Sequence, residues 1–286
     1  MKNIQRVAAI HDLSGYGKAS LTIVIPTLSA MGIQVCPLPT ALLSTHTGFE
    51  GFTFLDLTSE MEKIIEHWQK LNLRFDAIYT GFLGSPKQVG IVREFITEIN
   101  HPDLFVVVDP VFGDNGKLYP TMDQTMVNNM KWLVQGADVI TPNITELAFL
   151  LDKPYKKSVS LKEMKDWLRA AGALGPQYVV ATSVPCDDDK SGSVVAFDRE
   201  NNRFWRVRHS YIRAHFCGTG DTFTSVLLGS LLQGDNFPAS IDRAVQFVHL
   251  AIQSTYGYGE SEKDIVLEKV LHTLKNTAPS YSYEQI

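Results

Sequence analysis

The sequence Cys217-Gly218-Thr219-Gly220-Asp221-Thr222-Phe223 combines two glycines, a carboxylate and the start of an apolar run that continues to residue 232. The glycines predict a tight turn in which the backbone approaches a ligand closely, and the apolar run predicts a helix behind it. The first N–H groups of a helix have no partner within the helix and lie at its positive end, so this turn can bind an anion. With Asp221 beside it as a general base, the stretch suits phosphoryl transfer to a hydroxyl group. An ordinary helix cap at Thr219 or Asp221 would explain the same residues, so this stretch alone does not distinguish an anion-binding site from a helix cap.

Composition and charge narrow the class of protein. The chain has 286 residues, is 44% hydrophobic and carries a formal net charge of −5. This length allows one large α/β domain or two small ones, and the mild acidity argues against a nucleic-acid-binding surface. The sequence has no apolar run long enough to span a membrane, no signal peptide, no repeat and no linker, so we expect a single cytoplasmic domain over residues 1–286. The three cysteines, Cys36, Cys186 and Cys217, are expected to be reduced thiols.

Short apolar runs alternate with helical patterns along the chain. Buried strands are predicted at 7–10, 77–80, 105–108, 137–140 and 178–181, and helices at 19–31, 58–71, 88–99, 161–171, 223–232, 239–256 and 263–275. A polar glycine loop is predicted at 11–18, between the first strand and the first helix. This alternation is typical of an α/β fold with a mainly parallel sheet, in which ligands bind beyond the carboxyl ends of the strands.

Polar residues follow the ends of these predicted strands. Asp12, Asp109, Asn143 and Thr182 each stand after a strand, and the glycine turn carries Asp221. In one parallel sheet these ends share an edge, so we expect the side chains to face one crevice. This convergence favours a binding site over a set of unrelated helix caps.

Asn143 and Glu146 allow two interpretations. Their spacing resembles a helix capping box, which would be a structural role. Equally, Glu146 at a helix start could face the crevice and hold a hydrated Mg²⁺. A dinucleotide fingerprint would need a third glycine where the chain has Ser20, and the P-loop pattern does not occur in the sequence.

Five motifs together make the chain resemble the ribokinase superfamily and, within it, the pyridoxal kinase family. The glycine turn matches the superfamily's signature, and Thr141-Pro142-Asn143 followed by Glu146 matches its T-P-N-x-x-E element. Asp109-Pro110-Val111 with Gly113-Asp114 matches the D-P-V-x-G-D of the pyridoxal kinases. Ser44 with His46-Thr47-Gly48, and Thr80-Gly81-Phe82-Leu83-Gly84-Ser85, are similar to two further motifs of that family.

The resemblance implies a fold and an activity. The fold would be a ribokinase-like three-layer α/β sandwich, with a mainly parallel central sheet, helices on both faces and a small β flap. The activity would be transfer of the γ-phosphoryl group of ATP to the 5′-hydroxymethyl group of a B6 vitamer (pyridoxal, pyridoxine or pyridoxamine). Mg²⁺, a monovalent cation such as K⁺ and a homodimer are also implied by the resemblance.

The same resemblance implies roles for individual residues. Asp221 would be the catalytic base, with the backbone of Gly218, Thr219 and Gly220 as the anion hole. Asp109 and Glu146 would organise the Mg²⁺. The residues implied near ATP are Asp114, Asn143, Thr182, Ser183 and Thr219, and those implied near the vitamer are Asp12, Ser14, Tyr16, Thr47 and Phe82.

Two departures from the family pattern lie on the vitamer side. Asp12 stands where one bacterial branch has a serine, and Ser14 follows two residues later, so either could contact the vitamer. Phe82 replaces a common tyrosine and removes a hydroxyl donor.

Three other functions stay open at this point. A hydroxymethylpyrimidine kinase of thiamin synthesis is the nearest alternative, although that family usually has a glycine-richer first loop. A non-catalytic vitamer-binding sensor would not need Asp221. A nucleotide-dependent oxidoreductase lacks the third glycine of its fingerprint.

Overall fold

A ten-stranded sheet runs through the molecule, and the polar ends of its central strands lie along one edge. The computed structural model describes residues 4–185, 191–210, 216–256, 264–275 and 282–286. Cys186 and the acidic run 187–189 lie outside the described residues. Within those ranges the strands are β1 (Arg6–Tyr16), β2 (Gln34–Thr45), β3 (Phe54–Asp56), β4 (Ala77–Thr80), β5 (Phe105–Val108), β6 (Gly113–Asp114), β7 (Lys117–Leu118), β8 (Val139–Ile140), β9 (Tyr178–Pro185), β10 (Ser191–Asp198), β11 (Arg203–Ser210) and β12 (Tyr283–Gln285).

Eight α-helices are seen in the described part of the chain. They are α1 (Leu21–Ala30), α2 (Thr58–Lys70), α3 (Pro86–Glu98), α4 (Gln124–Val134), α5 (Ile144–Leu150), α6 (Leu161–Gly172), α7 (Thr219–Gln233) and α8 (Phe237–Tyr256). Two short 3₁₀ helices follow at Leu267–Lys269 and Leu271–Lys275. No helix among the described residues has both the length and the apolar character needed to cross a membrane.

The sheet order is β12-β11-β10-β9-β8-β5-β4-β1-β2-β3. The six strands from β9 to β2 in this order pair in parallel, and antiparallel strands extend the sheet at both sides. A separate two-stranded ribbon, β6 with β7, follows β5. Because parallel strands end at the same edge, this order brings the segments after β1, β2, β4, β5, β8 and β9 together.

Both faces of the sheet are buried. On β5, Val108 packs into one hydrophobic cluster and its neighbour Val107 into the other, since alternate side chains point to opposite faces. The cluster that holds Val108 is covered by α2 to α6, and the cluster that holds Val107 by α1, α7 and α8. The predicted three-layer, mainly parallel α/β fold is therefore confirmed.

The structure corrects two segments of the predicted pattern. Residues 11–16 belong to β1, because its pairing with β2 continues to Tyr16 across a register shift between His11 and Leu13. Residues 264–275 do not form one α-helix. The backbone of Asp264 bridges to Cys217, and the Val266 N–H donates to Thr255 Oγ1, so these groups are diverted from a helical ladder.

Substitutions on the two faces of β5 test this two-sided burial. Val107→Ala and Val108→Ala should each lower the free energy of unfolding by about 2 kcal/mol, because each removes two buried carbon atoms and leaves a cavity. Leu71→Ala, at a side chain that is 56% exposed, should change it by less than about 0.5 kcal/mol. Urea unfolding followed by circular dichroism measures all three. A neutral effect at either valine would contradict burial on that face.

Candidate active site

One large cavity lies at the carboxyl ends of the parallel strands. Its volume is about 1110 Å³, which exceeds the range of about 300–1000 Å³ for ordinary ligand pockets and gives room for two substrates. It is lined by most of the residues predicted from sequence, namely Asp12, Thr47, Phe82, Asp109, Asp114, Asn143, Glu146, Thr182, Ser183, Gly218, Thr219, Gly220 and Asp221. The expected convergence of the strand ends is therefore present.

The glycine turn delivers the start of α7 to this cavity. Gly218 has φ of 81°, and a Cβ atom there would lie 2.6 Å from the Lys18 carbonyl oxygen, so glycine is required by both conformation and space. α7 begins at Thr219, and the Thr222 N–H donates to the Gly218 carbonyl in its first turn. The earlier N–H groups of this turn have no acceptor within the helix and are placed to bind an anion.

Asp221 lies in this first turn with its carboxylate held from one side. Its Oδ2 accepts a hydrogen bond of 2.8 Å from the Ser20 N–H. Burial raises the pKa of Asp221 to about 7, the negative charge of Asp12 adds to the rise, and the Ser20 N–H opposes it. A carboxyl group with a pKa near neutrality is suited to general base catalysis near neutral pH.

His11 borders Asp221 without neutralising it. Its Nδ1 atom lies 3.9 Å from Asp221 Oδ1, and its fully buried ring packs edge-on against Tyr79 at a centroid distance of 4.3 Å. Burial lowers the pKa of His11 to about 3, so the ring is uncharged at neutral pH. Among the described residues neither ring nitrogen has a hydrogen-bond partner. His11 therefore adds to the desolvation of Asp221 rather than pairing with its charge.

Asp109 stands at the end of β5, in a cluster of carboxylates. It is buried, and its Oδ2 lies 4.0 Å from where a Cβ atom of Gly220 would be. Burial raises the pKa of Asp109 well above its usual range, and the charges of Glu146 and Asp221 raise it further. A cation would stabilise the ionised form of these neighbouring carboxylates, and carboxylate oxygens are the ligands that Mg²⁺ prefers. The donor set at Asp109 and Glu146 thus fits a hydrated magnesium ion.

Glu146 forms the capping box that its spacing allowed, and it also lines the cavity. The capping box of α5 is formed, because Asn143 Oδ1 accepts the Glu146 N–H and Glu146 Oε2 accepts the Asn143 N–H at 2.9 Å. Glu146 Oε1 also accepts the Phe112 N–H at 3.1 Å. Burial nevertheless raises the pKa of Glu146 to about 7. The side chain therefore fixes the loop after β5 and contributes charge to the Asp109 cluster.

The loop after β5 is strained where it enters the cavity. Val111 has φ of 40°, which is rare for a β-branched residue and marks a backbone held in place by its surroundings. Asn143 Nδ2 donates to the Gly113 carbonyl at 2.8 Å and ties this loop to α5. Asp114 follows at the cavity edge, where its carboxylate accepts from the Asn115 backbone and side chain. Such ties keep Asp109 and Asp114 in fixed positions.

Of the residues predicted to lie near the vitamer, some line the cavity and others do not. Asp12, Thr47 and Phe82 line it. Ser14 is buried beside it and donates to Asp12 Oδ2 at 3.4 Å, while Tyr16 is 65% exposed and packs on Phe49. Because β1 continues to Tyr16, that side chain lies at the surface, and neither Ser14 nor Tyr16 lines the cavity in the described part of the chain. Contact of either residue with a substrate stays a prediction.

His46, Cys217 and Asp264 form a further cluster in the described part of the chain, with possible ligand atoms within 4.8 Å of one another. The Gly48 N–H donates to His46 Nδ1 at 3.1 Å, so the ring proton is on Nε2, which lies 2.6 Å from Asp264 Oδ1. A metal ion would need that same nitrogen without its proton. Burial also raises the pKa of Cys217 to about 12, so the thiol is protonated. The cluster is therefore a hydrogen-bonded link between the β2 end and residue 264.

Sequence reasoning missed several residues at the cavity. Ser20, His209 and His249 line it, and His11 borders Asp221. His209 and His249 carry no motif that could have indicated them. Ser20 did carry a signal, because it stands at the third glycine position of the G-x-G-x-x-G pattern.

Comparisons with known proteins agree with this geometry. Residues 21–265 match the family model described as phosphomethylpyrimidine kinase. A Bacteroides thetaiotaomicron protein, named provisionally as a phosphomethylpyrimidine kinase and crystallised with pyridoxal, is 54% identical, with a TM-score of 0.96 over 99% of this chain and 100% of that one.

Two further relatives carry the name pyridoxal kinase. The enzyme from Lactobacillus plantarum is 31% identical, with a TM-score of 0.88 over 95% of this chain and 97% of that one. The enzyme PdxY from Burkholderia lata is 26% identical over 277 residues, 93% of each chain. The chain thus belongs to the phosphomethylpyrimidine kinase family and has the ribokinase-like fold of its pyridoxal kinase relatives.

Proposed function

We propose that this protein is a pyridoxal kinase, which transfers the γ-phosphoryl group of ATP to the 5′-hydroxymethyl group of a B6 vitamer. The observation that carries the proposal is the meeting of the glycine turn, Asp221 and the Asp109–Glu146 carboxylates in one cavity with room for both substrates. The pyridoxal in the structure of the 54% identical relative and the name of the Lactobacillus plantarum enzyme support the choice of substrate.

The order of the strands supports separate positions for the two substrates. Thr47 and Phe82 follow β2 and β4, on one side of Asp109, and Thr182 and Ser183 lie in β9, on the other. We assign the first side to the vitamer, with Asp12, and the second to ATP, with Asn143 and Asp114. The reacting groups then meet between them, at the end of β5 and the start of α7.

The chain's own groups perform the transfer by positioning and charge stabilisation. Asp221 takes the proton of the vitamer hydroxyl group as the hydroxyl oxygen attacks the γ-phosphorus. The N–H groups of Gly218, Thr219 and Gly220 hold the oxygens of the transferred group. Asp109 and Glu146 would hold a magnesium ion, which supplies positive charge to the triphosphate. The bond between the γ-phosphorus and the bridging oxygen breaks, and ADP leaves.

Hydroxymethylpyrimidine kinase is the second candidate, because the matching family model and the name of the Bacteroides thetaiotaomicron relative refer to a kinase of the related compound phosphomethylpyrimidine. Both substrates are aromatic rings with a hydroxymethyl group, so the same base and anion turn could serve either. Turnover of pyridoxal, pyridoxine, pyridoxamine and hydroxymethylpyrimidine, measured as ADP release, separates them. Clear preference for the pyrimidine would overturn the proposed substrate, and no ADP release with any of them would favour a vitamer-binding sensor.

Several further expectations stay predictions. They are a single catalytic domain over 1–286, a homodimer, a cytoplasmic location and a monovalent cation such as K⁺.

Loss of the base should abolish most of the turnover. We expect Asp221→Ala to lower kcat by at least ~10²-fold, the low end for a positioned general base, with little change in KM for ATP. Glu60→Ala is a matched control, because Glu60 is an exposed carboxylate in the first turn of α2. Steady-state kinetics of both variants measure the effect. A variant of Asp221 with nearly full turnover would rule this residue out as the base.

The raised pKa of Asp221 should appear in the pH profile. The base works only when deprotonated, so kcat/KM for the vitamer should rise with pH through about 7 and level off above it. Because the vitamers also titrate, we assign to the enzyme only the rising limb of the pH profile that occurs with both pyridoxal and pyridoxine. Asp12→Asn removes a charge that raises this pKa, so it should move the shared limb to lower pH. A limb that Asp12→Asn leaves in place would contradict this assignment.

Replacement of Asp109 by asparagine should raise the stability of the protein but weaken its use of magnesium. Its raised pKa means that ionisation costs native stability as pH rises above about 4. Asp109→Asn should therefore raise Tm without magnesium at pH 8, and should raise the Mg²⁺ concentration for half-maximal activity by at least ~10-fold. Thermal melts and Mg²⁺ titrations measure the two effects. A lower Tm together with an unchanged Mg²⁺ requirement would contradict a magnesium role.

A further inference from the structure

Ser20 has a backbone conformation that favours glycine. It stands three residues after Gly17, at the third glycine position of G-x-G-x-x-G, and its φ and ψ are 51° and −126°. A residue with a Cβ atom is strained in this region, and such strain persists only where the surroundings enforce it. The chain nevertheless keeps a serine, so its side chain must do something that glycine cannot.

Both hydrogen-bond donors of Ser20 are directed at carboxylates of the cavity. The N–H donates to Asp221 Oδ2 at 2.8 Å, and Oγ donates to Asp12 Oδ1. Although Ser20 occupies the N-cap of α1, its side chain makes no capping hydrogen bond to that helix. The ordinary reason for a serine at this position is therefore absent, and the hydroxyl acts on Asp12 instead.

The carbonyl of Ser20 completes the restraint. It accepts the N–H groups of Ile23 and Val24, both at 2.9 Å, and so begins α1. Thus α1 holds Ser20 from one side and Asp12 holds it from the other. Between these two anchors, the peptide N–H points toward Asp221.

We propose that Ser20 is a positioning residue for the catalytic base. The hydrogen bond from its Oγ to Asp12 holds the strained backbone, and the strained backbone aims the N–H at Asp221 Oδ2. This fixes the rotation of the carboxylate and leaves Oδ1 to take the substrate proton. The proposal rests on the proposed function, in which Asp221 is the base.

Two substitutions separate this role from a structural one. Ser20→Ala keeps the strain of a Cβ atom but loses the anchor, so the residue should relax and withdraw its N–H. Ser20→Gly also loses the anchor, but it can keep the same φ and ψ without strain. We therefore expect kcat to fall by roughly 10²-fold in Ser20→Ala and by less than about 10-fold in Ser20→Gly, with KM for ATP little changed in both.

The stabilities of the two variants cannot distinguish a positioning role from a structural one, because glycine is also a better N-cap than alanine. The kinetic values are therefore taken at saturating substrates and corrected for the folded fraction. Ser29→Ala and Ser29→Gly are matched controls, since Ser29 is an exposed serine near the other end of α1. Both controls should keep the turnover of the parent protein. Equal kcat in Ser20→Ala, Ser20→Gly and the parent would overturn the proposal.

Crystal structures of the two Ser20 variants without substrates give a readout that does not depend on turnover. The distance from the residue 20 nitrogen to Asp221 Oδ2 should stay near 2.8 Å in Ser20→Gly and exceed hydrogen-bond range in Ser20→Ala. An unchanged distance in Ser20→Ala would overturn the positioning role. If the parent protein phosphorylates nothing, or Asp221→Ala stays active, the proposed function fails, while these distances still decide whether Ser20 orients Asp221.

Discussion

The burial of several like charges at one edge of the sheet is the constraint on which the rest of the structure depends. Asp109, Glu146 and Asp221 all have raised pKa values because they are desolvated, and the charges of Glu146 and Asp221 both act on Asp109. Such an arrangement is unfavourable in the protein alone, and in the proposed function a bound cation would offset it. The two buried faces of the sheet supply the stability that keeps these groups in place.

The three carboxylates are held in place by different structural elements and hydrogen bonds. Asp109 is held by the end of β5, and Glu146 by the capping box of α5 and the Phe112 N–H. Asp221 is held by the first turn of α7 and by a peptide N–H from the start of α1. Four of the fold's helices and strands are thus brought to one point. Strain at Val111 and Ser20 is found on both sides of it, which is typical of a functional site.

The strand and helix pattern and the convergence of polar strand ends were predictable, because both follow from hydrophobic periodicity and the geometry of parallel sheets. The extension of β1 was not, since the polar residues around Gly15 read as a loop while their pairing with β2 is a tertiary effect. The exposed position of Tyr16 has the same cause. The α4 helix was missed, although Asp123 caps it through the Met126 N–H. The roles of His11 and Ser20 depend on distances across the fold that no local pattern encodes.

In the proposed reaction, Asp221 and the anion turn act on one hydroxyl group of one bound vitamer. A crystal structure with pyridoxal, Mg²⁺ and a non-hydrolysable ATP analogue would show this arrangement. The 5′-hydroxyl oxygen should lie within hydrogen-bond distance of Asp221 Oδ1, and the terminal phosphate should accept hydrogen bonds from the N–H groups of Gly218 to Gly220. A ternary complex in which the hydroxyl points away from Asp221, or the terminal phosphate lies away from the turn, would contradict it.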